Sequence, residues 1–239
     1  MSKSVIHRAE TRGHANHGWL NARHSFSFAN YYNPERMHFG VLRVLNDDIV
    51  APSMGFGTHP HDNMEIITIP LSGALRHKDN MGNQAVIQAN EVQVMSAGTG
   101  VTHSEFNASA HEPVSLLQIW LFPDKKNVQP RYDQRVFKSE DRQNALQTVV
   151  APIGQEENGA LGIHQNAWFS LGTLQSGTEK EYTVRHKLNG VYLFVIEGSV
   201  NVNDTPLSKR DGFGIWETEK ISITATSDAE ILIMDLPIS

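Results

Sequence analysis

From Phe39 onward the chain is a succession of apolar runs too short for helices, each closed by turn-forming residues. Val41-Leu42-Arg43-Val44-Leu45, Ile66-Ile67-Thr68-Ile69, Ala85-Val86-Ile87, Val92-Gln93-Val94-Met95 and Leu116-Leu117-Gln118-Ile119-Trp120-Leu121 all have strand length. Between them stand Ser72-Gly73, Asn80-Met81-Gly82-Asn83, Asn90-Glu91 and Gly98-Thr99-Gly100, where Gly and Asn tolerate positive φ. Many short strands at this spacing predict a sandwich or barrel, and no long amphipathic helix interrupts this half.

The pattern then repeats. Residues 126–159 are polar and proline-bearing, with Pro130, Pro152 and a Lys-Ser-Glu-Asp-Arg run, and read as a connecting segment. They separate a first unit, residues 1–125, from a second, residues 160–239, which carries runs such as Val191-Tyr192-Leu193-Phe194-Val195-Ile196 and Ile231-Leu232-Ile233-Met234. Ile66 to Ser72 before Gly73 matches Val191 to Glu197 before Gly198, the signature of an internal duplication.

Two pairs in the first unit carry chemistry. His59-Pro60-His61 and His103-Ser104-Glu105 each place donors at positions i and i+2, which share one face of a strand. Neighbouring strands would aim His59, His61, His103 and Glu105 at one point. Imidazole with carboxylate suits Fe(II), Mn(II), Zn(II), Ni(II) or Cu(II), and a chain without cysteine offers no thiolate site. Superposing Gly73 on Gly198 puts His59 on Val184 and His61 on His186. Superposing Glu91 on Asp211 puts His103 on Ile223 and Glu105 on Ala225. The second unit is therefore expected to be metal-free, with His186 a relic that packs or hydrogen-bonds.

Charge narrows the partners. Twenty Lys and Arg against 26 Asp and Glu give a net charge of −6 and no basic run, which argues against direct nucleic-acid binding. No stretch approaches the roughly 20 apolar residues of a membrane helix, and the amino terminus lacks an apolar signal core, so a cytoplasmic location is expected.

His59-Pro60-His61-Asp62-Asn63-Met64-Glu65 and Gly100-Val101-Thr102-His103-Ser104-Glu105-Phe106-Asn107 resemble the two cupin signature blocks. Two departures, seven residues between Glu65 and Gly73 and Gly98 in place of proline, are similar to the pirin family, a bicupin group. His24-Ser25-Phe26-Ser27-Phe28-Ala29-Asn30-Tyr31-Tyr32 and Phe56-Gly57-Thr58-His59-Pro60-His61 also resemble that family, nearly over the full length, and most closely its bacterial quercetin 2,3-dioxygenase-like members. The resemblance implies an all-β bicupin: two tandem antiparallel β-barrels of the double-stranded β-helix or jelly-roll type, with few short helices. The first would bind metal and the second would be degenerate.

The resemblance also implies one divalent ion, Fe(II) first, with Zn, Mn, Ni, Co or Cu as alternatives. It implies a small phenolic substrate and O₂: a flavonol such as quercetin, whose 3-hydroxyl binds the metal and loses its proton, with Glu105 as base. The alternative is a non-enzymatic metal-binding co-regulator acting through a protein partner. Glu65 competes with Glu105 for the acidic position, since the generic cupin pattern favours Glu65 and the pirin pattern Glu105; with Glu105 as the ligand, Glu65 could hold a ligand imidazole in orientation.

His7, His38, His77, His111 and His164 read as ordinary packed or surface residues, and His14 and His17 as structural. Phe26, Phe28, Tyr31 and Tyr32 fit either a half-buried strand or a wall closing one barrel end. Pro60 cannot donate to a ladder, so its strand should begin or lie at an edge, leaving the metal near the mouth.

Overall fold

The computed structural model describes residues 2–238. Among the described residues the only helices are two 3₁₀ turns, Ala9–Thr11 and Ser139–Arg142, and the rest is strand, turn and loop. Alternating burial dominates the strands: Val101–Asn107 reads buried, half-buried, buried, half-buried, buried, exposed, buried, as a sheet with one wet face requires.

Each unit pairs a seven-stranded with a four-stranded sheet. In the first, the large sheet runs, in spatial order, Arg131–Val136, Glu91–Ser96, Glu65–Ser72, Val114–Leu121, Leu42–Val50, Leu20–His24 and Gly13–Asn16. The small sheet runs Gly55–His61, Val101–Asn107, Ala74–Asp79 and Gln84–Gln88. The second unit repeats this with Lys3–His7, Gly212–Trp216, Asn189–Glu197, Ala229–Pro237, Trp168–Leu174, Leu146–Pro152 and Leu161–Ile163 against Glu179–Thr183, Lys220–Ala225, Ser199–Val202 and Thr205–Ser208. The two cupin units are sandwiches whose sheets do not close into barrels. All strand pairs are antiparallel except Leu146–Pro152 with Leu161–Ile163.

The large sheets pack on each other. Leu45, Ile67, Ile69, Leu117 and Ile119 of the first share one core with Phe169, Tyr192, Phe194, Leu232 and Met234 of the second. Their strand neighbours, one residue on, face the interior of their own sandwich, so alternate residues serve two cores. Removing a side chain such as Ile67, fully buried at this junction, would cost about 2–5 kcal/mol.

Sheet membership departs from the expected divisions at 125 and 159. Lys3–His7 joins the second sandwich by pairing with Gly212–Trp216. Arg131–Val136, inside the expected connector, completes the first sandwich by pairing with Glu91–Ser96. Its polarity is that of an edge strand, whose outer face and outer backbone need no apolar cover. Leu146–Pro152, from the same segment, pairs with Trp168–Leu174 in the second sandwich.

Turn geometry accounts for the duplicated glycines and for one missing proline. Gly73 and Gly198 have φ of 73° and 74° in matching turns. Gly98 has φ 49°, which proline cannot adopt, and a Cβ there would run into the Val128 carbonyl oxygen. The departure from the cupin pattern at Gly98 thus lets the residue 128 segment cross close by.

Candidate metal centre

The small sheet of the first sandwich assembles the site. Val101–Asn107 runs between Gly55–His61 and Ala74–Asp79, with His103 directly opposite His59 on one side and Asp79 on the other. Gly55–His61 is an edge strand, which is where Pro60 costs least. The imidazoles of His59, His61 and His103 converge, their ring centroids 4.5 to 4.9 Å apart. Their ligand-type nitrogens all lie within 4.8 Å of one another.

These rings suit a cation. His103 is buried and its Nε2 has no hydrogen-bond partner. Burial, and then the neighbouring His59, pull His61 down to about 4 and His103 down to about 3, so both are unprotonated at neutral pH, as ligation requires. The Gly57 carbonyl lies 2.8 Å from Nδ1 of His59; it accepts that N–H and leaves Nε2 free. The Trp120 indole stands edge-on to His61 at 4.9 Å, and the Phe28 ring edge-on to Trp120 at 5.4 Å, so one of the aromatic residues singled out in the sequence does wall this end. In front of His61 lies an open hollow of about 450 Å³ bounded by Pro60, Asn80, Thr99 and Thr102.

Glu105 sits deeper, fully buried. It accepts hydrogen bonds from Gln118 Nε2 at 2.8 Å and Thr68 Oγ1 at 3.5 Å. Burial raises it to about 7, only partly offset by those two donors. A second group of donors within 4.8 Å joins it to His103 and His77. His103 is thus shared between an outer trio and an inner one.

Glu65 lies elsewhere. It accepts from Ser96 Oγ at 2.7 Å and from the His164 backbone N–H at 3.2 Å, a contact between the two sandwiches. The expectation that it shares a face with His61 needs one regular strand through both. The chain instead turns at Asn63, φ 44°, and leaves the small sheet for the large one, where Glu65 has the parity of Ile67 and Ile69. Asn107 of the second signature block ties the following loop by donating to the carbonyls of Val50, Ala51 and Glu112.

Sequence reasoning passed over His77. It is fully buried between Asp79, 3.1 Å from its Nε2, and His103. The signal was there: His77-Lys78-Asp79 has the same i, i+2 spacing as His103-Ser104-Glu105 on the adjoining strand. His14 and His17 belong to neither donor group among the described residues.

A bicupin with a histidine-lined centre in its amino-terminal half matches known proteins throughout. Residues 5–121 match the pirin family model and residues 148–236 the quercetinase C-terminal cupin domain. The chain is 44% identical to quercetin 2,3-dioxygenase of Escherichia coli K12 over 97% of its own length and 98% of that protein's. A pirin-like protein of Caulobacter vibrioides is 42% identical over 93% and 95%. The crystal structure of the Escherichia coli pirin YhhW in complex with nickel(II) superposes with a TM-score of 0.93 at 42% identity, covering 99% of this chain and all of that one. The protein belongs to the pirin family.

Proposed function

We propose that the protein is a metal-dependent dioxygenase that opens the central ring of a flavonol such as quercetin with O₂, holding one divalent ion, Fe(II) first, through His59, His61, His103 and Glu105. The observation that carries this is the partnerless Nε2 of buried His103, met by the imidazoles of His59 and His61 beside an open hollow. The Escherichia coli relative, a quercetin 2,3-dioxygenase by name, supplies the reaction class, and the nickel in the related crystal structure supports a divalent ion.

When bound, the ion would supply Lewis acidity and open coordination positions. The residues do the rest. Glu105 takes the substrate's 3-hydroxyl proton onto a carboxylate oxygen; burial raises that carboxyl to about 7 in the metal-free protein, and a bound cation would draw it back down. Gln118 and Thr68 hold the carboxylate while it does so. Trp120 and Phe28 offer aromatic surface against which a flat phenolic ring can lie beside His61. The absence of cysteine suits a reducing compartment, and we place the protein in the cytoplasm.

Protein stripped of metal and reloaded separately with Fe(II), Mn(II), Ni(II), Co(II) or Cu(II) is expected to consume O₂ and quercetin together. Failure with every ion overturns the activity. Glu105→Gln is expected to lower turnover about 100-fold or more while retaining most of the metal; parallel losses of both would reduce Glu105 to a ligand.

A further inference from the structure

The inner trio contains a chain of groups that the reading above does not use. Asp79 is locked as an acceptor: its Oδ1 receives the backbone N–H groups of Met81 and Asn83, both at 2.9 Å, and its Oδ2 the Asn83 side-chain amide at 2.8 Å. The same Oδ2 lies 3.1 Å from Nε2 of His77. A carboxylate with these donors can only accept, so the proton on neutral His77 belongs to Nε2. Its Nδ1 is then a lone pair, and it faces Nδ1 of His103 at 3.5 Å. Two lone pairs would repel, so the proton of His103 belongs on Nδ1, which leaves a lone pair on the buried, partnerless Nε2.

Tyr132 lies flat on His77, with centroids 4.7 Å apart and planes at 29°, and its hydroxyl is held by Gln134 at 2.8 Å. The ring of His77 is therefore fixed from both ends and from one face. His59 obtains the same tautomer from a backbone carbonyl; His103, on a strand paired on both sides, obtains it from side chains.

We propose that Asp79 and His77 are positioning residues: a buried relay, clamped by Tyr132, that fixes His103 as the Nδ1–H tautomer and aims its Nε2 lone pair at the metal centre. The relay rests on the metal-site reading given above, and its prediction for metal-free protein separates the two. In histidine-¹⁵N-labelled, metal-free protein, His103 should show a protonated Nδ1 and an unprotonated Nε2. In His77→Phe, which keeps a ring under Tyr132, and in Asp79→Asn, that preference should be lost. Nickel affinity by titration calorimetry should fall about 10- to 100-fold in both, the range for losing such an outer partner.

Protonated Nε2 on His103 in the wild type, or nickel affinity unchanged in a folded His77→Phe, overturns the relay. Should Asp79→Asn fail to fold, the wild-type tautomer and His77→Phe decide alone. Wild-type protein that takes up no nickel at all, yet shows the expected tautomer, would overturn the metal-site reading and leave the relay standing as a feature of the sheet.

Discussion

Across the large sheet of the first sandwich, Gln93, Thr68, Gln118 and Asn46 stand in one cross-strand row; in the second sandwich the same row is Phe213, Leu193, Ile233 and Ser170. The small sheets differ in the same sense. Leu75 opposite Asn107, two residues beyond Gly73, corresponds to Val200 opposite Ala225, two beyond Gly198. Stepping back along the strands, Glu105 corresponds to Ile223, His103 to Ile221 and His77 to Val202, and the partner of Ile221 in the place of His59 is Tyr182. One interior is a polar centre between apolar ends, while the other is continuous hydrocarbon. Where the first sandwich opens to solvent at His61, the second is stoppered: buried Asp235 accepts from Tyr182 Oη at 3.0 Å, Arg185 N at 2.7 Å and Asn189 Nδ2 at 2.7 Å.

The duplication therefore preserved the sheets and exchanged what fills them. A fold whose stability resides in shared apolar faces can carry a polar, partly unsatisfied interior in one half if the other half is well packed. Asp48 Oδ1 and both amide atoms of Gln93 lack partners in the first interior, and burial, with Asp47 and Glu105 nearby, raises Asp48 to about 8.

Four changes probe this contrast, in descending order of effect. His61→Ala should lower metal affinity by more than the roughly 100-fold of an outer partner, with turnover lost alongside; metal analysis after dialysis and an O₂ assay read it. Ile233→Gln, which writes the first sandwich's residue into the second, should destabilise the protein by about 2–4 kcal/mol, because its row offers the four-point amide only Leu193, Phe213 and the single Ser170 hydroxyl. A urea midpoint equal to that of the wild type would show that the second interior tolerates polarity after all.

The third concerns the joint. His7, carried across on the exchanged first strand, hydrogen-bonds buried Tyr192 at 2.8 Å, and burial, with Arg36 nearby, pulls its proton affinity down to about 4. An unfolded chain binds that proton below about 6.5 and the folded chain only below about 4, so this contribution is whole above the window and lost as pH falls through it. The stability advantage of wild type over His7→Gln should shrink by about 3 kcal/mol between pH 7.5 and 4. The smallest is Tyr182→Phe, expected to cost about 1 kcal/mol by removing one of the donors to Asp235.

Much of the molecule was legible beforehand because strand signals are local. The apolar runs, the Gly73 and Gly198 turns and the i, i+2 pairing of His59 with His61 depend only on alternation and turn chemistry. The copy-to-copy register was read two residues off. His61 was expected over His186, but His186 is exposed in a turn, where its Nδ1 accepts from Leu188 N at 3.3 Å, and Val184 holds the corresponding place. The loops leading into the corresponding strands differ in length, and sequence spacing cannot apportion that difference.

What the chain determines by itself, then, is which segments are strands, that they come in two sets, and which donors share a face, because backbone alternation is set by neighbouring residues. Tertiary structure alone decided that Glu65 turns to the second sandwich while Glu105 stays by His103, that Lys3–His7 completes the other unit's sheet, and that His77 and Asp79 lie behind His103. Those outcomes depend on which sheet a strand joins, and that is settled by long-range pairing and burial.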